Sequence, residues 1–185
     1  MSEGGPGCNW VEQRVIILLA GNAAARRALQ GSEPGWRRHL TRDQYVAFHE
    51  AGHAVAAVVG GYCGYRLSIV ARRDIKIGST RFLGGIALFG RTRMIDRPLE
   101  IPASPRSDLA TAAGLCCSLA PTLKWRDGLA VYRTLKARTE EILEDHWYTL
   151  KLLAIELNQQ KELTQEQIER ILGRHERLAV VQRPA

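Results

Sequence analysis

The sequence lacks any pair of cysteines two residues apart. Cys8, Cys63, Cys116 and Cys117 form no C-x-x-C unit, so neither a zinc ribbon nor a thioredoxin-type redox pair is signalled. Cys116 and Cys117 are neighbours in a stretch of small residues, where buried free thiols and a reducing, cytoplasmic compartment are expected. No G-x-x-x-x-G-K-[ST] phosphate loop occurs, so ATP-driven work is not expected within the chain. Long apolar runs are missing too. The longest, Val15 to Ala25, is about half of what a membrane span needs, and no membrane anchor is expected. A secretory leader is not expected either, because Glu3 and Glu12 precede or flank that run against Arg14 alone, where a positive start is required. Aromatic residues make up only 6% of the chain, and the net charge of +7 is spread over arginine pairs at 26–27, 37–38 and 72–73. Without a basic tract or an aromatic-interleaved stripe, a nucleic-acid partner is not expected.

What remains is an ordinary folding composition. The 185 residues are 45% hydrophobic and 24% charged, enough for one domain with its own core. Residues 1–10 read as a leader, and 11–29 as a helix crowded with small residues, broken by GSEPGW at 31–36. Thr41 and Gln44 form a capping-box pattern that opens a helix running to Gly60–Gly61. Two β-like runs follow, at 65–71 and 82–90. Pro98, Pro102 and Pro105 mark 91–106 as a loop. Ser107 is positioned to cap a helix over 108–120, and Asp127 another from Gly128. Thr164 and Gln167 repeat the capping pattern before a last helix. The expected fold is mainly α with a small antiparallel β element, an α+β arrangement. Residues 1–40 form a leader and helix, 41–178 the main domain, and 179–185 a fraying tail.

The chemistry concentrates in HEAGHAV, residues 49–55. His49 and His53 are four apart on one helix, about 40° apart around its axis and one turn apart along it. Both imidazoles can therefore address one ion. Glu50 lies beside the first histidine, where its carboxylate can take a proton from a metal-activated water without itself ligating. Zinc suits two histidines, a third ligand and an open position. Ala51, Gly52 and Ala54 are read as keeping the site open; for Gly52, helix packing is the other reading.

FHEAGHAV resembles the zinc motif of the FtsH-type ATP-dependent metallopeptidases, and in particular small stand-alone proteins similar to their peptidase domain alone. LSIVARRD and LGGIALF resemble the strands that follow that family's zinc helix, and ILEDHWYTLKLLAIELNQQKELTQEQIERIL resembles its closing helices, so the likeness covers roughly residues 41–176. The resemblance implies a zinc-dependent endopeptidase acting on polypeptide substrates; an extended substrate is expected to pair with the edge of the 82–90 strand. It also implies a third ligand from an aspartate opening a downstream helix in a stretch like SDLxxA. SDLATA at 107–112 fits, making Asp108 that ligand, with Asp127 as the rival; a first-turn carboxylate also suits the helix dipole. Asp43 lies too close to the motif on its own helix, and His39, His146 and His175 are read as surface or packing residues. The chain departs from the family's order. A small-residue helix like LLAGxAAE is expected between the strands and the aspartate, whereas IILLAGNAAARR stands at 16–27. Either the order is rearranged and the helix fills the same place, or it is a coincidental alanine-rich helix. Lacking an ATPase module, such a protein either acts on short or unfolded polypeptides or borrows an ATPase partner in trans; homo-oligomerisation is left open.

Overall fold

Every position from Val15 to Asn22 is buried, so the first helix, α1 (Trp10–Gln30), turns an inward surface to all sides through its middle. A helix that is apolar all round is stable only inside a fold. α1 accordingly packs against α2 (Arg42–Val59), α3 (Pro105–Leu119) and α4 (Trp125–Asp145), and shares one core with them. The computed structural model describes residues 10–30, 40–70, 76–77, 80–81, 86–91, 94–102, 105–122 and 124–181. Residues 1–9 of the leader expected over 1–10, the break at 31–36, His39 and residues 182–185 lie outside the described residues, as do the side chains of Cys63 and His175, whereas Trp10 opens α1.

α2 begins at the capping box read from the sequence. Thr41 Oγ1 accepts from the Gln44 N–H at 3.2 Å, and Gln44 Oε1 accepts from the Thr41 N–H at 2.8 Å. The helix stops at Gly60, and Gly61 takes up the left-handed conformation, φ +81°, that glycine adopts without a Cβ penalty. Thr41 is exposed, so Thr41→Ala removes the cap and little else. A loss of about 1 kcal/mol is expected, measured as a lower urea midpoint at unchanged slope.

α5 (Trp147–Gln160) packs on α2 and buries Leu150, Leu153, Ala154 and Leu157. α4 contributes Leu135, Thr139 and Leu143, each one turn from the next, which is why its apolar residues recur at helical spacing. Arg27 ties three helices together: its guanidinium sits 4.4 Å from the centre of the Trp147 ring and pairs with Glu144, while Trp147 stacks on Phe48 at 5.9 Å. The last helix, α6 (Gln165–Val181), runs past residue 178.

Beside α2 lies a small antiparallel sheet. Its strands are β1 (Tyr62–Ser68), β4 (Ile86–Arg91), β5 (Met94–Pro102) and β6 (Glu162–Thr164), in the order β5-β4-β1-β6; β2 (Lys76–Ile77) and β3 (Thr80–Arg81) pair separately. Glu162 fastens β6 to β1, accepting from Arg66 at 2.6 Å and from Ser68 at 3.0 Å. The molecule is thus mainly α with a small antiparallel sheet.

Four expectations need correction. The proline-bearing stretch expected as a loop forms β5. That strand is at the sheet edge, and Pro98 falls where the register with β4 shifts between Phe89 and Arg91, so proline's missing N–H costs no regular ladder bond. The β4 strand, the described part of the 82–90 run, is not an edge, since β1 and β5 pair with its two sides. α3 opens at Pro105, in the position proline favours, which leaves Ser107 inside the first turn. α4 opens at Trp125, so Asp127 is within the helix and accepts a hydrogen bond from Thr122. No helix among the described residues is long and apolar enough to cross a membrane.

Candidate metal centre

Three donor atoms from two helices converge. His49 Nε2 and His53 Nε2, one turn apart on α2, are 3.1 Å from each other. Asp108 Oδ2, from the first turn of α3, is 3.0 Å from His49 Nε2 and 3.5 Å from His53 Nε2. The rings meet edge to face, with an interplanar angle of 86°. His53 Nδ1 lies 2.7 Å from the Ile17 carbonyl. A carbonyl only accepts, so Nδ1 carries the proton and the neutral ring presents a lone pair at Nε2. This is the outer partner that ligating histidines commonly have, and α1 supplies it. His49 Nδ1 has no well-formed hydrogen bond, although the Gly21 backbone slightly favours its protonated form.

Two imidazole nitrogens and a carboxylate oxygen this close repel one another unless a proton or a cation stands among them. The chain's own titration reflects that. Burial would raise the Asp108 pKa, but hydrogen bonds from His49 and His53 and their charge pull it below the ordinary value. His49 is lowered, first by burial and then by the charge of His53, against the pull of Asp108. His53 is raised: burial opposes its charge, but the hydrogen bond to Asp108 and the charges of Glu50 and Asp108 outweigh it. The His49, His53 and Asp108 group can hold a metal ion.

Glu50 stands next to this group with neither carboxylate oxygen hydrogen-bonded. Burial pushes its pKa up to about 8, with the charge of His53 opposing and that of Asp108 adding. An unpartnered buried carboxyl is costly, and packing alone gives no return for it. Exposure at the centre is 2% for His49, 0% for Glu50 and His53, and 1% for Asp108. The expectation that Ala51, Gly52 and Ala54 hold the site open is therefore corrected. All three are buried, and a Cβ on Gly52 would meet the Ala20 carbonyl oxygen at 2.5 Å and the Ala24 Cβ at 2.7 Å. Gly52 serves the close crossing of α1 over α2.

The sequence reading picked out His49, Glu50, His53 and Asp108, which the fold brings together. Asp127 is half-buried and bonded to Thr122 instead. Asp43 pairs with Lys161 at 2.8 Å, and His146 sits at the α4–α5 junction. The reading missed the contribution of α1: Ile17, through its carbonyl, and Gly21. A Cβ on Gly21 would lie 2.5 Å from His53 Nε2 and 2.9 Å from His49 Cε1. The available signal was a glycine in the buried middle of a helix, where it costs about 1 kcal/mol against alanine.

Gly21→Ala is expected to weaken metal binding by up to ~30-fold, because overpacking of about 1–3 kcal/mol outweighs a helix-propensity gain of about 1 kcal/mol. Gly114→Ala, at an exposed α3 position with nothing within 4 Å of the added Cβ, is the control and should stabilise by up to about 1 kcal/mol. Competition with a chromogenic chelator measures the first, and thermal unfolding the second. Equal metal affinity in Gly21→Ala and wild type would count against the close seat of α1 on the ligand rings. No protein-family model matches the sequence, and no curated protein matches it.

Proposed function

We propose that this chain is a zinc-dependent metalloendopeptidase of the FtsH type, hydrolysing internal bonds of polypeptides. The observation that carries this reading is Glu50, a fully buried carboxyl with both oxygens unpartnered beside a convergent two-histidine, one-carboxylate set. Zinc suits that set. Donors about 2.0–2.1 Å from zinc at tetrahedral angles lie roughly 3.3–3.4 Å apart, and the separations here are 3.0, 3.1 and 3.5 Å. Calcium and magnesium favour all-oxygen ligands. When bound, zinc supplies Lewis acidity towards a scissile carbonyl and towards water.

The chain's residues do the rest. His49, His53 and Asp108 hold the ion, with Ile17 fixing the His53 ring and Gly21 leaving room for both rings. Glu50 takes the proton of the attacking water and passes it to the departing amine. A cation held at the neighbouring imidazoles favours the ionised form of Glu50, which is the form a base requires. α1, carrying IILLAGNAAARR, packs along α2 and brings Ile17 and Gly21 to the ligand rings, which supports the rearranged order. Cys116 and Cys117 are free and suit a reducing, cytoplasmic compartment. Short or unfolded polypeptides are the substrates for the chain alone, and folded ones require an ATPase partner in trans.

A second reading, a non-catalytic zinc-stabilised interaction module, is favoured by the near-complete burial of the centre. Casein turnover by the zinc-loaded protein separates the two. A peptidase cleaves casein, and chelator stops it. A module takes up zinc and leaves casein intact.

A further inference from the structure

A cleft of about 570 Å³ opens between α1, α3 and α4, within the range of small-ligand sites. It belongs to neither the metal nor Glu50. It does adjoin their scaffold, since Leu109 follows the ligand Asp108 on α3 and Asn22 follows Gly21 on α1. The floor is apolar: Leu19, Ala23, Leu109 and Leu143. The rim is charged, and most of that charge is already matched. Arg27 pairs with Glu144, and Lys136 with Glu140. Arg26 is left over; among the described residues it has no acidic partner, and it lies at the cleft with its surface exposed. The cleft therefore joins an apolar bed to one uncompensated guanidinium, a group whose fork matches a carboxylate.

We propose that this cleft binds the free carboxyl terminus of a peptide ending in an apolar residue. The carboxylate pairs with Arg26, and the last side chain lies on the Leu19, Ala23, Leu109 and Leu143 floor. A fatty carboxylate shares the two end groups but not the peptide backbone. Gln30 and Tyr132 at the rim offer amide and hydroxyl partners that an alkyl chain would leave unused, which favours the peptide. The proposal is independent of catalysis at the metal centre.

The test is titration calorimetry of the zinc-loaded protein in a Glu50→Gln background, so that the probe is not consumed. The probes are acetyl-trileucine as the free acid, its carboxamide, and octanoate. The acid should bind about 10-fold or more tighter than the amide, as a charge-assisted Arg–carboxylate pair implies. Arg26→Ala, at an exposed position, should remove that preference. Ala23→Phe, which fills the floor, should abolish binding of both peptides at unchanged zinc content. Equal affinity for acid and amide, or no measurable binding, overturns the proposal. So does an acid preference that survives Arg26→Ala, because the carboxylate then sits elsewhere, at the metal included. Octanoate binding as tightly as the peptide acid overturns the peptide assignment.

Discussion

Glu50→Gln is expected to keep its metal and to lose peptide hydrolysis by about 10²–10⁴-fold, the range general acid–base catalysis supplies. The substitution is nearly isosteric, and neither Glu50 oxygen has a protein hydrogen bond to break, so the fold should not suffer. Metal content and casein turnover, measured on one preparation, check both halves. Unchanged turnover would remove Glu50 from the chemistry.

The same variant carries a stability signature in the chelated protein. The Glu50 carboxyl has an ordinary value of 4.5 and is pushed up to about 8 in the fold. Between those values the folded chain holds a proton that the unfolded chain has lost. Stability from this group is therefore fully present below about 4.5 and is lost as pH rises through 8. Gln does not titrate. Across that window Glu50→Gln should gain on wild type by roughly 3–5 kcal/mol, at about 1.4 kcal/mol per pH unit. Comparing the two chains cancels the titration of exposed groups. Urea unfolding at pH 5 and pH 8 reads the difference, and a gap that narrows with rising pH would contradict the burial of an unpartnered carboxyl.

The second large effect is on the metal. Losing an outer partner of a metal ligand costs about 10–100-fold in affinity, and losing one of three ligands exceeds that. His53→Ala and Asp108→Asn should each lower zinc affinity by more than ~100-fold, whereas Asp127→Asn should leave it unchanged. Asp108→Asn is the more informative of the ligand variants, because it keeps the side-chain shape while removing the only anion among the three donors. His53→Ala also strands the buried Ile17 carbonyl, which now accepts from Nδ1 at 2.7 Å, and should cost stability as well.

The helix bearing the motif was legible because its signals are local. The Thr41–Gln44 box, the i, i+4 histidines and the Gly60–Gly61 stop lie within one element and need no tertiary knowledge. Asp108 came from a motif resemblance, not from spacing; its place beside His49 depends on how α3 packs on α1, and the contact spans 59 residues of sequence. Gly21 and Ile17 were illegible as site residues for the same reason. Their role lies in a backbone carbonyl and an absent side chain, neither of which has a residue-type signature. β5 was missed because proline argues against a strand in general but not at an edge or a register shift. Gly52 was read as keeping the site open, with helix packing as the other reading; the α1 backbone fills that space, so packing is the reading that holds.

The central claim is that His49, His53 and Asp108 grip one ion. Crystals of the zinc-loaded protein, with diffraction recorded on both sides of the zinc absorption edge, test it most directly. The expected result is one anomalous peak about 2.0–2.2 Å from His49 Nε2, His53 Nε2 and an Asp108 carboxylate oxygen. A zinc-loaded crystal with no peak there, or with its peak at other residues, would contradict it.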